Sequence, residues 1–105
     1  MSEKTGFYCN MSAFRGSDRE RYNQLIRKLE AARIEIQELP DGYSFCLRSE
    51  LVSVMEVAEW VSYESKCCPF FDFEILLERG NGPLWLILKG QDGIKPFIQA
   101  EFGIR

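Results

Sequence analysis

The apolar residues of this 105-residue chain change their spacing four times from one end to the other, and that rhythm constrains the fold more than any motif does. Tyr22, Leu25, Ile26, Leu29 and Ala32 recur every three or four positions, the period of one helical stripe, with Arg19, Arg21, Arg27, Lys28 and Glu30 on the remaining surface. Ser17-Asp18-Arg19-Glu20 ahead of them has the S-x-x-E spacing of a capping box. From Ile34 the period drops to two. Ile34 and Ile36 alternate with Glu35 and Gln37, Pro40-Asp41-Gly42 supplies turn chemistry, and Tyr43, Phe45 and Leu47 alternate with Ser44, Cys46 and Arg48. A second helix is predicted from about Leu51 to Lys66, with Val54, Val57, Ala58, Val61 and Ser65 on one stripe and Glu56, Trp60 and Glu64 on another. Pro69 ends it, because proline disfavours helical geometry in the residue before it. Phe71, Phe73, Ile75 and Leu77 then alternate with Asp72, Glu74, Leu76 and Glu78, and Gly80-Asn81-Gly82-Pro83 turns the chain into a return strand from Leu84 to Lys89. After the break at Gly90 to Gly93, Ile94, Phe97, Ile98 and Phe102 predict a short last helix.

Two hairpins separated by helices predict an α+β fold, a four-stranded antiparallel sheet with three helices in the order α-ββ-α-ββ-α. The hairpin-helix pattern occurs twice, over residues 33–66 and 70–103, as a repeat of pattern and not of identity. Residues 1–105 are read as one domain, with an N-terminal segment over 1–16 and one core built from 17–66 and 70–103. Phe7 to Met11 could add an extended segment at a sheet edge. Leu76, Trp85 and Ile87 fall on the face opposite Phe73, Ile75, Leu86 and Leu88, so that face needs cover, and a second copy in a homodimer is the partner considered for it.

The composition closes off several functions. With no histidine there is no Ser-His-Asp or Cys-His pair, no Cys₂His₂ zinc site and no imidazole switch. Thirteen Lys and Arg against 16 Asp and Glu give a net charge of −3, without the clustered positive charge that nucleic-acid binding needs. No apolar run approaches the roughly 20 residues of a membrane span. The polar start Met1-Ser2-Glu3-Lys4-Thr5 is not a secretory signal, so a cytoplasmic location with reduced thiols is expected. Gly80-Asn81-Gly82 and Gly90 to Gly93 lack the pattern of phosphate loops. Asp72, Glu74 and Glu78 read as a solvated sheet face, and the sequon Asn10-Met11-Ser12 has no meaning without secretion.

The four cysteines are the remaining chemistry. Cys46 sits in a β pattern and reads as packing, since unpaired cysteine behaves as a small hydrophobe. Cys9 lies in the N-terminal segment, beside Phe7, Tyr8 and Met11. Cys67 and Cys68 are adjacent, directly before Pro69, with Glu64 three residues upstream. Neighbouring helical residues point in different directions and rarely share a packing need, so the pair is the stronger functional candidate. It lies at a predicted helix C-terminus, where the helix dipole opposes thiolate formation, and its spacing differs from that of Cys-x-x-Cys oxidoreductases. A bound cation is one reason for such thiols to ionise.

Glu64-x-x-Cys67-Cys68-Pro69-Phe70 also carries a resemblance. Together with Cys9-Asn10, the leucines of the first helix, Leu39-Pro40-Asp41-Gly42-Tyr43 and Gly82-Pro83-Leu84-Trp85-Leu86-Ile87-Leu88, it resembles a group of small bacterial proteins of unassigned activity. The resemblance spans nearly the whole chain, brings no demonstrated reaction, and carries an association with heavy-metal handling. It implies that Cys9, Glu64, Cys67 and Cys68 are the positions of interest and that Cys46 is not. Two chemistries are expected to compete at these positions. One is non-enzymatic binding of a soft metal ion, metalloid or related ligand by Cys67, Cys68 and Cys9 with Glu64; the other is a thiol-redox enzyme using the same cysteines. A plain interaction module built on Leu76, Trp85 and Ile87 is a third.

Overall fold

The computed structural model describes residues 16–104. Helix α1 (Ser17–Ala32) buries Tyr22, Leu25, Leu29 and Ala32, the stripe its spacing predicts, while Ile26 is partly covered. Its start corrects the expected capping box. Gly16 is the N-cap, with φ of 57°, and no side chain caps the helix, so Ser17 is already helical. The capping box is in helix α2 (Val54–Cys67) instead. There the Ser53 side chain accepts from the Glu56 N–H at 3.1 Å and the Glu56 carboxylate accepts from the Ser53 N–H at 3.0 Å. Two orphan backbone donors are thereby satisfied, which fixes the start of α2 three residues later than its apolar pattern predicts.

Strands β1 (Arg33–Leu39) and β2 (Gly42–Leu47) form the first hairpin, and β3 (Asp72–Leu77) and β4 (Leu84–Lys89) the second; helix α3 (Ile94–Phe102) follows. The four strands make one antiparallel sheet in the order β1-β2-β4-β3, so the second strand of each hairpin is central and the first is an edge. This is the α-ββ-α-ββ-α arrangement that the changes of period predict. Gly42 opens β2 opposite Lys89, and the central pairing depends on its missing side chain. A Cβ there would lie 1.9 Å from the Leu88 carbonyl oxygen.

Tyr43, Phe45 and Leu47 pair with Leu88, Leu86 and Leu84, and all six are buried with the helices' apolar residues in one core. Trp60 of α2 lies inside it, its ring edge-on to Phe73 and Phe102 at 6.1 and 6.2 Å between centroids. A buried ring of this size contributes on the order of 3 kcal/mol through the water it releases. The α2 stripe differs from the expected one. Val57, Trp60, Glu64 and Cys67 face the core, whereas Val54, Ala58 and Ser65 are exposed. A helix laid on a sheet buries the face that holds its largest side chain, and here Trp60 sets the rotation.

The opposite sheet face carries Leu76, Trp85 and Ile87, as expected from the alternation; Leu76 is half exposed and the other two are partly buried. Trp85 Nε1–H donates to Glu78 at 2.6 Å, and Glu74 pairs with Lys89 at 2.9 Å, so the acidic row on β3 is a solvated face with local partners. Ile34, expected in the alternation of β1, falls at a register shift between Arg33 and Glu35 and is exposed. Among the described residues no helix is long and apolar enough to cross a membrane. Phe7 to Met11, including Cys9, lie outside the described residues.

Candidate functional site

The last turn of α2 gathers what the sequence singled out. Glu64 and Cys67 are one helical step apart on the buried face, and Cys68 is the C-cap, its N–H donating to the Glu64 carbonyl at 2.6 Å. The backbone leaves the helix at Cys68, with φ of −128° and ψ of 76°, and Pro69 follows. That departure lets two consecutive side chains approach each other instead of diverging. The Cys67 and Cys68 sulfurs are 3.7 Å apart. One carboxylate oxygen of Glu64 and the two sulfurs all lie within 4.8 Å of one another, and all three residues are fully buried.

Burial governs the electrostatics. Loss of water, aided by the nearby negative charge of Glu101, pushes the Glu64 carboxyl up from its usual 4.5 to a net value of about 7. The Tyr22 hydroxyl donates to Glu64 Oε1 at 2.6 Å and opposes that rise. The same burial and the neighbouring carboxylate push the Tyr22 phenol well above its ordinary range, so it remains a proton donor. Glu64 Oε2 has no hydrogen-bond partner among the described residues, an exception to the rule that buried oxygens are paired.

The two cysteines are chemically unequal. Cys67 is a thiol, as is Cys46, whereas Cys68 is half of a disulfide whose other half lies outside the described residues. The expectation of uniformly reduced thiols therefore does not hold at Cys68. Cys46 is elsewhere, buried on β2 opposite Glu35 and Trp85, where burial pushes its thiol up. It takes no part in the cluster, in agreement with its reading as packing. Cys9, expected as a further ligand, lies outside the described residues.

Sequence reasoning named Glu64, Cys67 and Cys68 but missed Tyr22 and Glu101 as their electrostatic neighbours. Tyr22 looked like one more member of an apolar stripe, and only the packing of α1 on α2 turns its hydroxyl to Glu64. A second concavity, of about 30 Å³ between the helices and the sheet, is lined by Leu29, Phe45, Trp60, Leu86, Leu88 and Phe102. Glu30 and Arg33 also line it, and the Trp60 Nε1–H has no hydrogen-bond partner among the described residues. Such a volume suits a water or two and no larger ligand. No protein-family model, curated protein or solved structure matches this chain.

Proposed function

We propose that this chain is a non-enzymatic thiol protein that binds a soft metal ion or metalloid through Cys67 and Cys68 in their reduced form, with Glu64 as oxygen ligand or proton acceptor. The observation that carries this reading is the convergence of three donor atoms within 4.8 Å in a fully buried site. Thiolate sulfur favours soft, polarisable ions. The C-terminal end of α2 disfavours bare thiolates, so an electropositive centre bound between the sulfurs supplies the stabilisation that the fold does not. The unsatisfied Glu64 Oε2 points the same way, as an acceptor held out of water beside two sulfurs. A reducing cytosol would supply the dithiol.

The test is elemental analysis of protein purified under reducing conditions, paired with a count of reactive thiols. Wild type is expected to retain or take up a soft ion with loss of two reactive thiols, and Cys67→Ser/Cys68→Ser to lose that capacity. Equal uptake by the double variant would remove the reading. A second reading, thiol-redox enzyme, is favoured by one observation: a disulfide sulfur, Cys68, with a thiol 3.7 Å away. It predicts oxidant-dependent mass changes confined to these cysteines, and thiols inert to peroxide and to disulfides would end it.

A further inference from the structure

We infer that the disulfide at Cys68 runs to Cys9 of the same chain and ties the N-terminal segment to the end of α2, as a redox latch on the thiol site. The tether rests on the Cys68 disulfide and on the packing of α1 against α2; the gating rests on the soft-ligand reading above. Elimination supplies the first argument. The chain has four cysteines, of which Cys46 and Cys67 are thiols and Cys68 is in a disulfide. Within one chain, Cys9 is the sulfur that remains.

The second argument is reach. Near the start of α1, Tyr22 bonds Glu64 and Arg21 pairs with Glu59; farther along, Lys28 pairs with Glu56, nearer the start of α2. The helices are therefore antiparallel, and the start of α1 lies beside the end of α2. Running back from Tyr22 to the N-cap Gly16 covers about 9 Å of helix, and running on from Glu64 to the C-cap Cys68 covers about 6 Å in the same direction. Gly16 and Cys68 are thus nearly level, separated by about the 10 Å between two packed helix axes. The stretch from Gly16 back to Cys9 can extend to about 23 Å, more than twice that gap. A sulfur from a second copy would have to enter a fully buried position, whereas this chain's own segment starts next to it.

While the disulfide stands, Cys68 is not available as a thiolate ligand. A dithiol reductant opens the latch. One S–S bond breaks between Cys9 and Cys68 and one forms in the reductant, whose two thiol protons and two electrons pass to the released sulfurs. The product carries thiols at Cys9, Cys67 and Cys68, with Glu64 within 4.8 Å of the latter two. The reduction that opens the site thus also enlarges its set of donors.

The experiment has two arms on the full-length chain. In the first, thiols are alkylated without reduction under denaturing conditions, and the protein is digested with trypsin and weighed. A linked pair of peptides, residues 5–15 with residues 67–79, is expected in wild type, Cys46→Ser and Cys67→Ser, and is expected to vanish in Cys9→Ser and Cys68→Ser. The undigested, unreduced protein should have monomer mass. Alkylated Cys9, or a disulfide-linked dimer, overturns the tether. In the second arm, oxidised and reduced metal-free protein are titrated with Cd²⁺ alone. Reduction should tighten binding by about tenfold or more in wild type, and Cys9→Ser, which cannot form the latch, should bind alike with and without reductant. Equal binding by oxidised and reduced wild type overturns the gating and leaves the soft-ligand reading standing. Binding by neither form ends that reading and the gating with it, while the linked peptides still establish the tether.

Discussion

The two hairpin-helix units share a topology and differ in how their helices end. In both, the first strand is a sheet edge, the second is central, and the following helix packs on the same face. The second unit closes conventionally. Its α3 ends at Gly103 in the left-handed region, with φ of 64°, and the Gly103 and Ile104 N–H groups both return to the Gln99 carbonyl. Glycine is the residue best suited to that conformation. The first unit ends α2 with Cys68 and Pro69, and the turn before them holds a fully buried glutamate. The fold can stop a helix at this place without sulfur or buried charge, as the second unit does. The chemistry at the end of α2 is therefore additional to what the architecture requires.

Five substitutions probe that comparison, beginning with the one placed at the seam between the units. Gly42→Ala puts a methyl group into the Leu88 carbonyl at the β2–β4 seam and should cost about 3 kcal/mol or more, read as a lower denaturant midpoint; a loss below about 1 kcal/mol would mean that the seam can yield. Glu64→Gln addresses the cost of the buried carboxylate. The folded Glu64 holds its proton to about 7 against 4.5 for an ordinary carboxyl, so the folded state binds more protons between these values. Its contribution is fully present below about pH 4.5 and is lost as pH rises through 7, a decline of about 3 kcal/mol. Urea melts across pH 4 to 8 should show that decline in wild type and a flatter profile in Glu64→Gln; parallel profiles would contradict the burial argument.

Smaller effects distinguish the helix ends. Gly103→Ala, forced into the left-handed region with open space around it, should cost about 1 kcal/mol by thermal unfolding. The two S-x-x-E sites should part company in the same assay. Ser53→Ala removes a real cap and should cost about 1 kcal/mol, whereas Ser17→Ala should change stability by less than about 0.5 kcal/mol. Equal losses at both serines would reverse the assignment of the capping box.

The serine pair also illustrates what a sequence can and cannot disclose here. Element order, both hairpins and the buried rows of β2 and β4 follow from period alone, because a strand's two faces are set by alternation. Which of two identical capping signatures closes depends on the chain's approach, and Gly16 at φ of 57° makes Ser17 helical before it can cap. The rotation of α2 was legible only if Trp60 outweighed the run Val54, Val57, Ala58 and Val61. Had it done so, the spacing of Val57, Trp60, Glu64 and Cys67 would have announced a buried carboxylate. The Tyr22 hydroxyl on Glu64 joins residues 42 positions apart, and no local pattern encodes such a meeting.

The strand order has a kinetic consequence. Each hairpin closes over a short turn and can form within microseconds, but the central pair unites strands about 40 residues apart in the chain, and the core faces of both hairpins stay open until it does. Slow zipping of β2 onto β4 should therefore limit the rate of folding, with both halves gaining protection from hydrogen exchange together. An isolated half would present a bare central strand to its own kind, a route to swapped or aggregated chains.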